Sequence, residues 1–105
     1  MTEESVLREG TPADGEAIVR TVVVSNQLGL HARPAAKLAQ EAQNFAADII
    51  VVCESQEVDA KSILDVLTLA AAQGSLLELR ADGSDAVAAL DCLEELFKNR
   101  FGEDK

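Results

Sequence analysis

One histidine, His31, occurs in a chain of 105 residues. It stands in the run Asn26-Gln27-Leu28-Gly29-Leu30-His31-Ala32-Arg33-Pro34-Ala35. The residue types before it are strand-like and those after it are helix-like. Pro34 suits a first helical turn, where a missing N–H costs nothing, so His31 is expected at or next to the N-cap. A helix N-terminus offers unpaired N–H groups and about half a positive charge. Arg33 adds a fork of donors that pairs with anionic oxygens. A neutral imidazole keeps one nitrogen lone pair free to attack an electrophile. The pattern describes a nucleophile beside a seat for one compact anion.

The elements that must hold this run follow from periodicity. Ile18 to Val24 is β-branched and partly alternating, which predicts a strand. Ser25 to Leu30 is a loop, with Gly29 free to take a backbone angle that other residues avoid. Ala35, Leu38, Ala42 and Phe45 form one helical stripe, predicted to end after Phe45. Asp48 to Cys53 and Glu57 to Asp59 are strands joined by the turn Glu54-Ser55-Gln56. Ser62 has the character of an N-cap. Ile63, Val66, Leu67 and Ala70 are expected as the inner stripe of a helix closed by Gln73-Gly74. Leu76 to Ala81 alternates as a strand, and Ala86, Leu90, Leu93 and Phe97 stripe a last helix. The tail from Gly102 to Lys105 is polar. The short hairpin favours an antiparallel sheet, and single-striped helices must cover one face of it. The expected fold is α+β, a two-layer open-faced sandwich of four antiparallel strands and three helices in the order β-α-β-β-α-β-α.

Composition narrows the function. Apolar residues make up 48% and aromatics 3%, without Trp or Tyr, so the core is aliphatic. No apolar run approaches the roughly 20 residues of a membrane span, so no membrane insertion is expected. The net charge is −10, and a chain without a basic footprint is not expected to bind nucleic acid. Acidity concentrates at the ends, with −4 in residues 1–16 and −4 in residues 82–105. Residues 1–16, with Gly10, Pro12 and Gly15, read as a flexible acidic extension ahead of a domain spanning 17–105. Arg33 and Lys37, with Lys61 joining them in space, would form a small basic spot. Cys53 and Cys92 fall on expected buried faces and read as free thiols in a reducing cytosol, with a disulfide as the alternative. One histidine and two separated cysteines give no metal-site spacing, so neither a metal nor another cofactor is expected.

Gly29-Leu30-His31-Ala32-Arg33-Pro34-Ala35 resembles the active-site signature of the HPr family, the histidine-containing phosphocarriers of the phosphoenolpyruvate-dependent phosphotransferase system. Lys61-Ser62-Ile63-Leu64 resembles the family's second signature around a regulatory serine. The resemblance covers about residues 17 to 100. It implies that His31 accepts a phosphoryl group on its pros nitrogen, Nδ1, from phosphorylated enzyme I and passes it to an enzyme IIA for sugar uptake. The chain would be a carrier with a covalent phosphohistidine and not an enzyme. Arg33 would be the electrostatic partner of His31. Ile63, Leu64 and Leu67, with Lys37 and Lys61, would meet the partners, and Ser62 would be the target of a serine kinase and phosphatase. A cytoplasmic monomer is expected. Asn26, Leu28-Gly29, Lys37-Leu38 and Phe101-Gly102-Glu103-Asp104 resemble the nitrogen-related branch, often called NPr, whereas the Ser62 region is closer to the carbohydrate branch. The branch stays open.

The bland readings are that Ser62 is a plain N-cap and that Leu64 is a stray exposed leucine. Two other functional classes also remain. One is a regulator that acts by docking alone, with Ser62 as its switch. The other is a small-anion or metal-binding module, which one histidine serves poorly.

Overall fold

The computed structural model describes residues 17–104. The extension read at residues 1–16 lies outside the described residues. β1 runs Ile18–Val23, α1 Ala32–Ala42, β2 Asp48–Cys53, β3 Gln56–Asp59, α2 Ile63–Thr68, β4 Leu76–Asp82 and α3 Ala86–Lys98. A short 3-10 turn, Arg100–Gly102, follows α3. The strands form one antiparallel sheet in the order β1-β4-β2-β3. β4 therefore sits between β1 and β2, so α1 must cross over it, and α2 must cross over β2. Both crossovers and α3 lie on the same face, as the α+β sandwich requires.

Alternation decides which face is which. Leu77, Leu79 and Ala81 of β4 point into the core beside Ile49 and Val51 of β2, while Glu78, Arg80 and Asp82 point away from the helices. Leu38 of α1, Val66 of α2 and Leu90 and Leu93 of α3 are fully buried against that inner face. Burying such a side chain stabilises the fold by about 1.5–3 kcal/mol. Polar ties fix the layers in register. Arg20 of β1 donates to Asp91 and Glu94 of α3. Asp85, just ahead of α3, accepts from the Ala46 and Ala47 amides at 2.8 and 2.9 Å. Those two donors, Ala46 first, hold its carboxyl below the usual aspartate range, with Lys61 assisting.

Two helices end earlier than their apolar stripes suggest. α1 stops at Ala42, and Phe45 packs on the core from a turn in which its N–H donates to the Ala42 carbonyl at 3.2 Å. α2 stops at Thr68, and Gln73-Gly74 does not close it. Ala70 takes φ +50°, which no helix residue can hold, and is exposed. Leu69 and Ala71 are buried in its place. Ile63 is likewise exposed rather than on the inner stripe. Cys53 and Cys92 are free thiols, half-buried rather than deep in the core. No helix among the described residues is long and apolar enough to cross a membrane.

Candidate functional site

The loop from Val24 to Leu30 fixes where α1 begins. The Val24 N–H donates to Ser75 O at 3.0 Å, and Val24 O accepts from the Gly74 N–H at 2.7 Å. At the far end of the loop the Leu30 N–H donates to Ala71 O at 2.9 Å. Between them Gly29 turns at φ +69°. A Cβ there would lie 2.4 Å from Ala71 O and 2.9 Å from Ala72 Cα, so only glycine lets the two loops close. This closure delivers His31 to the N-cap of α1 in an extended conformation.

His31 does not cap the helix with its side chain. The first helical bond is Ala35 N–H to His31 O at 3.0 Å. The amides of Ala32 and Arg33 are thus left as helix-end donors, and Pro34 has none to leave. No acidic residue lies in this first turn. The imidazole, about one-third exposed, turns instead to Glu103, with Nε2 2.8 Å from Oε2. Glu103 Oε1 accepts from Asn26 Nδ2 at 2.9 Å. The Asn26 amide, the His31 ring and the Arg33 charge hold the Glu103 carboxyl below the ordinary glutamate range, against the opposing push of partial burial. An ionised carboxylate only accepts hydrogen bonds, so the shared hydrogen sits on Nε2. In the neutral ring the lone pair is then on Nδ1, which has no hydrogen-bond partner among the described residues.

Glu103 reaches the ring through a reversal of the chain after α3. Arg100, Phe101 and Gly102 all take positive φ, at 56°, 56° and 80°. Left-handed backbone costs a non-glycine residue about 1–2 kcal/mol. Phe101 offsets it, because its ring is buried edge-on against Phe97, with centroids 4.8 Å apart. The Gly102 N–H donates to Asn99 O and the Glu103 N–H to Arg100 O, closing the turn. Beside it, a hollow of about 570 Å³ is lined by Leu28, Arg33, Phe101 and Glu103. Arg33 is exposed there, with no ion-pair partner among the described residues.

A buried asparagine, an ionised carboxylate and a lone-pair-bearing ring meet at a helix start with an exposed guanidinium. Comparison with known proteins decides what this arrangement belongs to. The family model described as "PTS HPr component phosphorylation site" matches residues 18–99. The chain belongs to the HPr family. It is 47% identical over 83 residues to the phosphocarrier protein HPr of Xylella fastidiosa, covering 79% of this chain and 93% of that protein. It is 48% identical over 87 residues to the HPr of Treponema pallidum, covering 83% and 99%. The crystal structure of HPr from Thermoanaerobacter tengcongensis superposes with a TM-score of 0.81 at 38% identity, covering 84% of this chain and 99% of that one. The chain is an HPr phosphocarrier of the phosphotransferase system.

Within that family frame, the residues picked from sequence divide. His31 and Arg33 lie together at the start of α1. Lys37 is exposed one turn on, its Nζ facing the Gly102 turn. Lys61 does not join them. Its Nζ donates to Phe45 O at 2.8 Å, and its carbonyl accepts from Gln43 Nε2 at 2.8 Å. Both contacts are at the C-terminal end of α1, which at 11 residues is about 16 Å long. Ser62 is the N-cap of α2, its Oγ accepting from the Asp65 N–H at 3.2 Å. Leu64 is 75% exposed and Ile63 is at the surface, while Leu67 is half-buried against the core. The sequence reading missed the contact of Glu103, taken there as part of a polar tail, and the burial of Asn26. The signal present was Phe101, a lone aromatic ahead of Gly102, which anchors the last turn.

Proposed function

We propose that His31 accepts a phosphoryl group on Nδ1 from phosphorylated enzyme I and passes it to an enzyme IIA serving sugar uptake in the cytoplasm. The observation that carries this reading is the engagement of Nε2 by Glu103, which leaves the Nδ1 lone pair as the attacking atom. Phosphoryl transfer is mostly positioning and charge stabilisation. The Ala32 and Arg33 amides and the Arg33 guanidinium supply these for three anionic oxygens at the mouth of the hollow. The site is open, so the held group can be released to a second protein. Leu64, Ile63, Leu67 and Lys37 form the partner surface in this reading, and Lys61 contributes from the far end of α1.

The test is incubation with enzyme I and phosphoenolpyruvate. An acid-labile, base-stable phosphate is expected on the wild-type protein, placed on Nδ1 by 15N–31P NMR and absent from His31→Ala. No label on the wild type, or a label that survives His31→Ala, ends this reading.

Ser62 supports a regulatory role beside it. Its hydroxyl is half-exposed at the start of α2, next to Asp65 and Asp59. Phosphorylation there would add about −1.5 to −2 charges, which repels an acidic partner. A docking-only regulator would keep its activity in His31→Ala and change its binding in Ser62→Asp, whereas a nitrogen-branch member would still carry its phosphate on His31.

A further inference from the structure

Asn26 is the one fully buried polar side chain among the described residues. It comes from the β1–α1 loop, yet it touches the last turn of the chain. Its Nδ2 donates to Gly29 O at 2.7 Å and to Glu103 Oε1 at 2.9 Å. Two acceptors fix the orientation of the amide, because a flipped amide would set its oxygen against both. Its Oδ1 is buried with no hydrogen-bond partner among the described residues. A buried acceptor left unpaired is costly to the fold and calls for a reason. The bond to Gly29 stays within the loop. The second bond goes to the carboxylate that holds the nucleophile.

We propose that Asn26 is a positioning residue for phosphoryl transfer, acting on His31 through Glu103. The proposal rests on the reading of His31 as the phosphoryl acceptor. The Asn26 donor occupies Oε1 of Glu103 and leaves Oε2 as the oxygen that faces Nε2–H of His31. The carboxylate, held in place by that bond, accepts from Nε2–H and keeps the lone pair of the ring at Nδ1. When Nδ1 attacks, an N–P bond forms and the bond from phosphorus to the donor breaks, its electron pair leaving with the donor. The proton on Nε2 stays where it is. The phosphorylated ring is then an imidazolium whose charge faces the Glu103 carboxylate. In onward transfer the N–P pair returns to Nδ1, and again no proton moves. The relay joins three segments of chain in one line of hydrogen bonds.

Glu103→Gln separates this relay from a passive loop contact. The new amide can offer either its oxygen or its nitrogen to His31. If Asn26 dictates, its N–H takes the new oxygen, and the NH₂ is turned toward Nε2. Nε2 must then accept, and the proton moves to Nδ1. Long-range 15N NMR at about pH 8, where an ordinary imidazole is neutral, should show the inverted tautomer. The kcat/KM for phosphoryl acceptance from enzyme I should fall by about 10- to 100-fold, the worth of one hydrogen bond to a charged group. Adding Asn26→Ala frees the new amide to turn round. The Nε2–H tautomer and part of the rate should then return. A Glu103→Gln ring that keeps the wild-type tautomer overturns the proposal, even if the double variant does not fold. Labelling of the wild-type protein in the same assay keeps the two questions apart. A labelled wild type with an unchanged Glu103→Gln tautomer refutes the relay alone, whereas an unlabelled wild type refutes the acceptor reading.

Discussion

Replacing Gly29 by alanine should cost far more than an ordinary turn glycine, and Gly74 provides the internal control. Both residues have positive φ, at 69° and 92°. A Cβ on Gly74 would meet nothing within 4 Å, whereas one on Gly29 would lie 2.4 Å from Ala71 O. Positive φ alone costs alanine about 1–2 kcal/mol, and the stiffer unfolded chain returns about 0.4–1 kcal/mol. Gly74→Ala should therefore lose about 1 kcal/mol. In Gly29→Ala the Ala71 carbonyl must retreat by more than half an ångström to reach even a tight contact. That carbonyl accepts the Leu30 N–H at 2.9 Å, and Leu30 is buried. Breaking this bond adds about 1–3 kcal/mol, for a total near 2–4 kcal/mol. At about 4–8 °C per kcal/mol in a domain of this size, Tm should drop by more than about 10 °C in Gly29→Ala and by about 5 °C in Gly74→Ala. Thermal melts followed by circular dichroism measure both. Equal melting temperatures for the two variants would show that the loops do not close against Gly29 as described.

Other perturbations probe the rest of the molecule. Ser62→Ala removes the cap on the Asp65 N–H and should cost about 1 kcal/mol of stability in denaturant titrations. Leu64→Ala should leave stability within about 0.5 kcal/mol, since the side chain is 75% exposed. It should raise KM for the phosphorylated donor with little change in kcat, and an unchanged KM would remove Leu64 from the partner surface. The Glu103 carboxyl is held below its ordinary value, so the folded state binds fewer protons there than the unfolded state does. Its contribution is full above the ordinary glutamate pKa and vanishes as pH falls through the lowered folded value. Acid-limb melts of Glu103→Gln should accordingly be flatter than those of the wild type over that window.

What the sequence discloses follows from how local each determinant is. The alternation of Leu77, Leu79 and Ala81 and the stripe of Leu90, Leu93 and Phe97 are decided within a few residues, and both elements form as read. The helix start at His31 is marked locally by Pro34, although the loop before it closes on the distant Ala71 and Gly74. The end of α2 is not. Ile63 to Ala72 is a nearly unbroken apolar run, and nothing within it marks Thr68 as the last helical residue. The stop is imposed by the Ala71 carbonyl, which must turn out of the helix to accept from Leu30. Charge alone suggests Lys61 beside His31, but the peptide groups at the end of α1 hold it elsewhere. Glu103 was unreadable for the same reason, because its partners are set by a reversal of the chain at Arg100 to Gly102 rather than by its neighbours in sequence.

The imidazole and its carboxylate are 72 positions apart along the chain. Synthesis must therefore have passed Glu103 before the ring can be set. Until Phe101 has found Phe97, a nascent chain holds a histidine whose ring no carboxylate fixes, however well its first helix has formed. Competence waits on the turn that carries Glu103, long after α1 has been made.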